Sequence, residues 1–215
     1  MRQAIAIDGP AGSGKSTVAK RLAEELGMMY LDTGAIYRAI TLAVLERNIS
    51  PTDFSKIREL LSEIHLTISD DGISLNGKNV SSRIRSKDVT AAVSDVCSDA
   101  TVRHFATSIE RKIAGERPSI LDGRDIGTVV LPDARLKIFL TASPEVRAKR
   151  RLHDEKNTSE ESYEEILEAI KRRDTIDSTR AVDPLRQAED AIYLDSSDMS
   201  IDQTVEAILD LWRRQ

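Results

Sequence analysis

The stretch Ala4-Ile5-Ala6-Ile7-Asp8-Gly9-Pro10-Ala11-Gly12-Ser13-Gly14-Lys15-Ser16-Thr17 decides how the rest of the chain is read. It matches the phosphate-loop pattern of Gly, four residues, then Gly-Lys-Ser/Thr. An apolar run the length of a buried strand comes first, and Val18, Leu22 and Leu26 follow four apart, so strand, loop and helix stand in the order the motif requires. Glycines at 9, 12 and 14 let the backbone approach phosphate oxygens and turn its N–H groups inward, and the helix start adds the positive end of its dipole. In that frame Gly9, Pro10, Ala11, Gly12, Ser13, Gly14, Lys15, Ser16 and Thr17 cradle a triphosphate. Lys15 reaches the outer phosphates and Ser16 offers a hydroxyl to Mg²⁺. The plain alternative, a glycine-rich turn that a lysine happens to follow, leaves the coincidence of strand, glycines, lysine and helix unexplained.

Outward from the loop, Gly27 stops the first helix, and Met28-Met29-Tyr30-Leu31 reads as a second buried strand whose polar end, Asp32-Thr33-Gly34, faces a ligand crevice. Ala35 to Leu45 is helical by pattern, with Ile36, Ile40 and Val44 four apart. Its first turn carries Tyr37 and Arg38 near the carboxyl end of that strand, the edge where open α/β sheets bind ligands. A helix start disfavours a cation, so Arg38 fits an anionic partner better than it fits the helix; a solvated surface arginine is the alternative. Ser50-Pro51-Thr52-Asp53 forms a turn and cap ahead of a helix with Phe54, Ile57, Leu60, Leu61 and Ile64 on one face. From Leu66 to Val80 apolar and polar residues alternate around Asp71-Gly72 and Asn76-Gly77, the signature of a small antiparallel meander. Such an insertion in a βα chain predicts a small lobe beside the main sheet. Helical periodicity resumes over Ser86 to Cys97 and Asp99 to Ile113, where the bare pattern reads Ser94 and Arg103 as surface residues.

Ser119-Ile120-Leu121-Asp122 is a short strand ending in an acid, placed to hold the Mg²⁺ shell through water. Arg124 and Asp125 follow at once between Gly123 and Gly127; they read either as a turn with an ion pair or, near the phosphates, as functional groups. Leu136 to Leu140 is a fourth core strand, and Ser143-Pro144 starts a helix with proline in its first position. That helix carries Arg147, Lys149, Arg150 and Arg151, and after the acidic loop Asp154 to Glu161 another carries Lys171, Arg172 and Arg173. Two basic clusters flanking a loop suit a lid, approximately residues 147–173, whose arginines Arg147, Arg150 and Arg151 close over the triphosphate and exclude water. Two solvated helices with ordinary ion pairs are the alternative. Asp174, Asp177 and Arg180 continue the polar edge, Ala191 to Leu194 is a fifth strand, and Ser200 to Trp212 is a closing helix.

Composition sets the outer bounds. A chain of 215 residues with 40% hydrophobic and 4% aromatic residues suits one helix-rich α/β domain, 1–215, with a smaller inserted lobe at approximately 35–113 and its β insertion at 66–80. The net charge of −5 argues against general nucleic-acid binding, which shows a basic excess. The single cysteine, Cys97, excludes an internal disulfide and a multi-cysteine metal site and fits a reducing compartment. With no leader ahead of the first strand and no apolar stretch of bilayer length, the expected location is the cytoplasm, with no membrane partner. Nothing marks an obligate interface, so a monomer is expected.

Five short apolar strands alternating with helices predict a parallel sheet with helices on both faces, the α/β P-loop kinase or NTPase fold. A GTPase would carry a guanine-reading Asn-Lys-x-Asp segment late in the chain; Asn76-Gly77-Lys78-Asn79 lies in the meander and lacks the acid. A two-substrate kinase fits the acceptor lobe and arginine lid.

At this point the chain resembles the bacterial cytidylate (CMP/dCMP) kinases from end to end. The resemblance rests on Ile7 to Thr17, Leu31-Asp32-Thr33-Gly34-Ala35-Ile36-Tyr37-Arg38, Asp122-Gly123-Arg124-Asp125-Ile126-Gly127-Thr128-Val129-Val130, Lys137-Ile138-Phe139-Leu140 and Arg180-Ala181-Val182-Asp183-Pro184-Leu185. The phosphate loop is widely shared; the second and third segments together are specific. The resemblance implies that the inserted lobe binds the monophosphate and that Arg38, Arg124 and Arg180 hold the phosphate of CMP. It further implies that Tyr37, Arg173 and Asp177 line the ribose and that Thr33, Ser94, Arg103 and Asp125 meet the cytosine ring, which moves Ser94 and Arg103 from surface to site. Cytosine offers an amino donor and two acceptors, so a carboxylate with an arginine is a complementary pair. Residue 33 is Thr where some members have Ser, which keeps the hydroxyl. The implied reaction is transfer of the γ-phosphoryl group of ATP to CMP or dCMP with Mg²⁺. UMP or a non-nucleotide alcohol as acceptor, and a regulatory module that binds ATP without transfer, are the rival readings.

Overall fold

A computed structural model describes residues 2–69, 72–153 and 161–215. The described chain forms two compact units, Met1–Leu31 with Ala114–Gln215, and Asp32–Ile113.

The first unit is built on a five-stranded sheet. Ala4, Ile5, Ala6 and Ile7 are wholly buried in β1 (Arg2–Asp8), so the apolar run that precedes the glycines is a strand covered on both faces. The other strands are β2 (Met29–Asp32), β6 (Ser119–Gly123), β7 (Ala134–Thr141) and β8 (Ile192–Asp195), in the spatial order β2-β6-β1-β7-β8. β1 runs parallel to β6, with Ile7 opposite Asp122, and to β7, with Asp8 opposite Phe139; β7 runs parallel to β8. The central position of β1 puts the loop that follows it at the middle of the sheet's carboxyl edge. Helices α1 (Lys15–Leu26) and α8 (Ile201–Arg213) pack against the sheet, and α6 (Pro144–Leu152) and α7 (Tyr163–Thr179) pack on each other. Val18, Ala19 and Leu22 of α1 and Val205, Ile208 and Leu209 of α8 share one core with the strands. Both α7 and α8 open with a capping box, Ser162 with Glu165 and Ser200 with Gln203. The segment after Asp125 is a π-helix, Ile126–Val130, closed by bonds from Val130 N to the Asp125 carbonyl at 3.1 Å and from Leu131 N to the Ile126 carbonyl at 2.7 Å.

The second unit holds α2 (Thr33–Glu46), α3 (Phe54–Leu61), the antiparallel sheet β3 (Leu66–Ser69), β4 (Gly72–Leu75) and β5 (Lys78–Asn79), then α4 (Lys87–Val96) and the start of α5 (Ala100–Glu116). The meander has the expected alternation, with Leu66 opposite Leu75 and Ile68 opposite Ile73. Asn76 and Gly77 both take positive φ, 50° and 80°, the conformation a tight hairpin requires. The other expected turn, at Asp71-Gly72, falls partly outside the described residues. Helix α2 begins at Thr33, two residues before the apolar pattern does, because the Asp32 carboxylate caps it by accepting from Ala35 N at 3.2 Å. Cys97 is half-buried against this unit's core.

Candidate active site

The phosphate loop leaves β1 through Gly9, where a Cβ would lie 2.0 Å from the Leu140 carbonyl oxygen of the neighbouring strand, and enters α1 through Gly14 at φ 89°. Only glycine satisfies both the close approach and the left-handed turn. Lys15 is buried and curls over the loop, its Nζ donating to the Pro10 carbonyl at 2.6 Å and lying 3.4 Å from Ser13 Oγ. Burial pulls its pKa well below the ordinary lysine value; the charge of Arg124 pulls the same way, while Asp122 and Asp8 oppose it. The ammonium thus bonds to the loop's own acceptors.

Asp122, at the end of β6, accepts from Ser16 Oγ at 2.8 Å and from Tyr30 Oη at 2.8 Å. The structure thus brings together the two residues assigned from sequence to a cation. A hydroxyl and a carboxylate converging beside a phosphate loop are hard oxygen donors, the ligand type Mg²⁺ takes, so the residues present fit that ion. Tyr30 was missed, because an aromatic residue in a short strand is indistinguishable by pattern from core.

Asp8 was read from sequence only as the residue before the loop. It is buried, and its two oxygens accept from Ile126 N and Gly127 N, each at 2.7 Å. Burial pushes its pKa from 3.8 to about 6; the two N–H bonds lower it, and the nearby charge of Asp125 raises it further.

Arg124, Arg173 and Arg180 gather around one carboxylate. Asp177 Oδ2 lies 2.7 Å from Arg124 Nε and 4.0 Å from Arg173 Nε, and its Oδ1 lies 4.0 Å from Arg180 Nη1. Residues 173 and 177 lie one turn apart on one face of α7, and Arg180 is the extended residue that ends the helix. Burial pushes the Asp177 carboxyl up, but the guanidinium charges and the Arg124 bond outweigh it and hold the group below the usual carboxylate range. Arg180 also donates through Nε to the Asp183 carbonyl at 2.7 Å and stands 3.5 Å from Asp125 Oδ1.

Of the arginines assigned to a lid, Arg147 is buried: it donates to the Ala142 carbonyl at 2.8 Å and the Ala11 carbonyl at 3.0 Å, and pairs with Asp174 at 2.6 Å. Arg150 donates to the Ser196 carbonyl at 2.6 Å and lies 3.4 Å from the Ser13 carbonyl. Both guanidinium groups therefore hold the outer side of the phosphate loop. Arg151 is exposed. Most of the loop expected between the basic clusters, 154–160, lies outside the described residues.

In the second unit, Thr33 is buried at the start of α2, and Arg38 pairs with Asp32 at 2.8 Å. Arg38 Nε is buried with no hydrogen-bond partner among the described residues, a donor placed for an acceptor atom. The exposed Arg85 reaches the same carboxylate at 3.0 Å; nothing in its local pattern marks it out. Arg103, a surface residue on the bare pattern, is 1% exposed, its guanidinium 5.2 Å from the centre of the Tyr37 ring. Ser94, on α4, is half-buried.

A five-stranded parallel sheet flanked by helices, with the phosphate loop leaving its central strand and a separate three-stranded antiparallel sheet, defines a P-loop kinase. A shikimate kinase from Bacteroides thetaiotaomicron, 12% identical, shares the fold with a TM-score of 0.51 over 98% of both chains. An uncharacterized protein from Eubacterium ventriosum, 16% identical, does so at 0.56 over 99% of both. The sequence relationship is narrower. The profile of the cytidylate kinase family matches residues 5–214. The chain is 48% identical to the cytidylate kinase of Caldanaerobacter subterraneus subsp. tengcongensis over 98% of this chain and 94% of the relative. It is 50% identical to that of Acholeplasma laidlawii over 96% and 93%, and 47% identical to that of Mycobacterium leprae over 98% and 96%. The chain belongs to the cytidylate kinase family, enzymes that phosphorylate a nucleoside monophosphate.

Proposed function

We propose that this chain transfers the γ-phosphoryl group of ATP to CMP or dCMP by in-line displacement, giving ADP with CDP or dCDP, as a cytoplasmic monomer that binds neither nucleic acid nor membrane. The observation that carries this reading is the gathering of Arg124, Arg173 and Arg180 around Asp177 in the same unit as the phosphate loop. A catalyst that brings two phosphorylated anions into reaction needs such concentrated positive charge. No helix among the described residues is long and apolar enough to cross a membrane.

On this reading residues 1–215 form one kinase domain, with approximately 35–113 as the monophosphate lobe and approximately 147–173 as the lid. Gly9 to Thr17 hold the donor, and Lys15 leaves the Pro10 carbonyl for the outer phosphates. Mg²⁺, when bound, neutralises charge on those phosphates, with Ser16 as a direct ligand and Asp122 acting through water. Arg38, Arg124 and Arg180 take the acceptor phosphate, and Tyr37, Arg173 and Asp177 the ribose. Arg103 donates to the acceptor atoms of cytosine, Asp125 accepts from its amino group, and Thr33 and Ser94 supply hydroxyls. The attacking oxygen is already anionic, so no strong general base is required. Lys15, Arg124 and Arg180 position it and neutralise the charge that spreads over the transferring group. Arg147 and Arg150 steady the loop from α6, and lid closure with Arg151 excludes water.

ADP release with Mg·ATP, measured across CMP, dCMP, UMP, AMP and GMP, tests the reading. CMP and dCMP should be the fast acceptors. Equal rates on AMP or GMP would sink it, and ATP binding without CMP-stimulated ADP release would mark a module that does not transfer phosphate.

A further inference from the structure

Asp125 stands immediately before the π-helix Ile126–Val130, the position from which a carboxylate ordinarily accepts the first exposed amides of a helical turn. Its side chain makes no such bond. The amides of Ile126 and Gly127 are taken instead by Asp8, at 2.7 Å each, from the end of β1. The Asp125 carboxylate lies toward Arg180, at 3.5 Å. Two features fit the exchange. A Cβ on residue 127 would come 3.3 Å from Asp8 Oδ2 and 3.1 Å from Lys137 Cδ, so a side chain there would press on the carboxylate that caps the turn. Asp8 also follows four wholly buried residues, so its carboxylate is carried by the central strand of the sheet. A neutral side chain would be buried at less cost; burial pushes the Asp8 carboxyl up although both N–H bonds lower it. The carboxylate offers two acceptor oxygens that take both amides, among them the Gly127 N–H that an aspartate at 125 would itself cap.

We propose that Asp8 is a positioning residue for base specificity: by capping the turn in place of Asp125, it keeps the Asp125 carboxylate turned away from its own backbone and directed to the amino group of the acceptor base. The proposal rests on the reading that Asp125 meets cytosine. In Asp8→Asn, an NH₂ group replaces one acceptor oxygen and opposes a backbone N–H. The uncapped amide then draws Asp125 back, as an N-cap aspartate is drawn in any helix.

The test compares kcat/KM for CMP and UMP at saturating Mg·ATP in the wild type, Asp8→Asn, Gly127→Ala and Asp125→Asn. Disturbance of the phosphate loop would slow both acceptors alike, so the CMP-to-UMP ratio isolates the base contact. The ratio should fall by about tenfold or more in Asp8→Asn, the loss expected for a hydrogen bond to a charged group. It should fall less in Gly127→Ala, and Asp8→Asn added to Asp125→Asn should lower it no further. An unchanged ratio in folded Asp8→Asn overturns the proposal; if that variant does not fold, an unchanged ratio in Gly127→Ala overturns it. A wild type indifferent to the base, or an Asp125→Asn variant as selective as the wild type, refutes the acceptor reading and this proposal with it, whereas a ratio that falls in Asp125→Asn but stays unchanged in Asp8→Asn and Gly127→Ala refutes this proposal alone.

Discussion

Replacing Asp8 by Asn removes a proton equilibrium that folding has shifted, and the consequence for stability can be worked through. In the folded protein burial pushes this carboxyl from 3.8 to about 6, so the folded state holds a proton that the unfolded chain has already released. Stability then falls as pH rises: the contribution is complete below the unfolded value of 3.8 and is lost as pH passes through about 6. At about 1.4 kcal/mol for each tenfold change in proton affinity, the full difference is worth about 3 kcal/mol, of which about 2 kcal/mol falls between roughly pH 4.5 and 7.5. Asn at this position does not titrate. Unfolding free energies from urea melts of the wild type and Asp8→Asn, taken at intervals across that window, give the test. Carboxylates remote from residue 8 titrate alike in both proteins and cancel in the difference. The wild type should lose about 2 kcal/mol relative to the variant as pH rises. A difference that stays flat, or grows in the wild type's favour, would refute the claim that the buried charge is incompletely compensated.

Three further outcomes follow from the site. Lys15→Ala should cost on the order of 100-fold or more in turnover. Its thermal midpoint should change little, because Lys15 Nζ is satisfied within its own loop; near-normal ADP release from that variant would refute the mechanism. Gly9→Ala would place a methyl group 2.0 Å from the Leu140 carbonyl. The displacement should cost about 3 kcal/mol or more and lower Tm by roughly 10 °C, as read by calorimetry. Arg147→Met would strip the Ala11 carbonyl of its donor and Asp174 of its partner. We expect about 3 kcal/mol of lost stability with a higher KM for ATP, and an unchanged KM would show that the clamp does not shape the donor loop.

Much of this protein was legible along the chain because its decisive features are local. The glycines, Lys15 and Ser16 sit within one loop whose chemistry depends on nearest neighbours, and the apolar run of β1 announces a strand buried on both faces. The meander was readable from Asn76-Gly77, since a hairpin turn is set by the φ values of two adjacent residues. The misreadings were at joints. Helix α2 starts earlier than its apolar pattern because a cap lies outside that pattern, and the segment after Asp125 is a π-helix because the amides of Val130 and Leu131 each bond a carbonyl five residues back.

By itself, then, the sequence determined the phosphate loop, the alternation of strands and helices, and the residue types from which an acceptor site is made. Tertiary structure alone decided what those residues do for one another. Asp177 became the centre of three arginines, Arg103 became a buried partner of Tyr37, Arg147 a clamp on the loop, and Asp8 the cap of a turn in a distant part of the chain. The reason is that burial and charge pairing act through space. A pattern records the face on which a side chain lies, but a carboxylate's pKa and partners depend on the strand or helix that the fold sets against it.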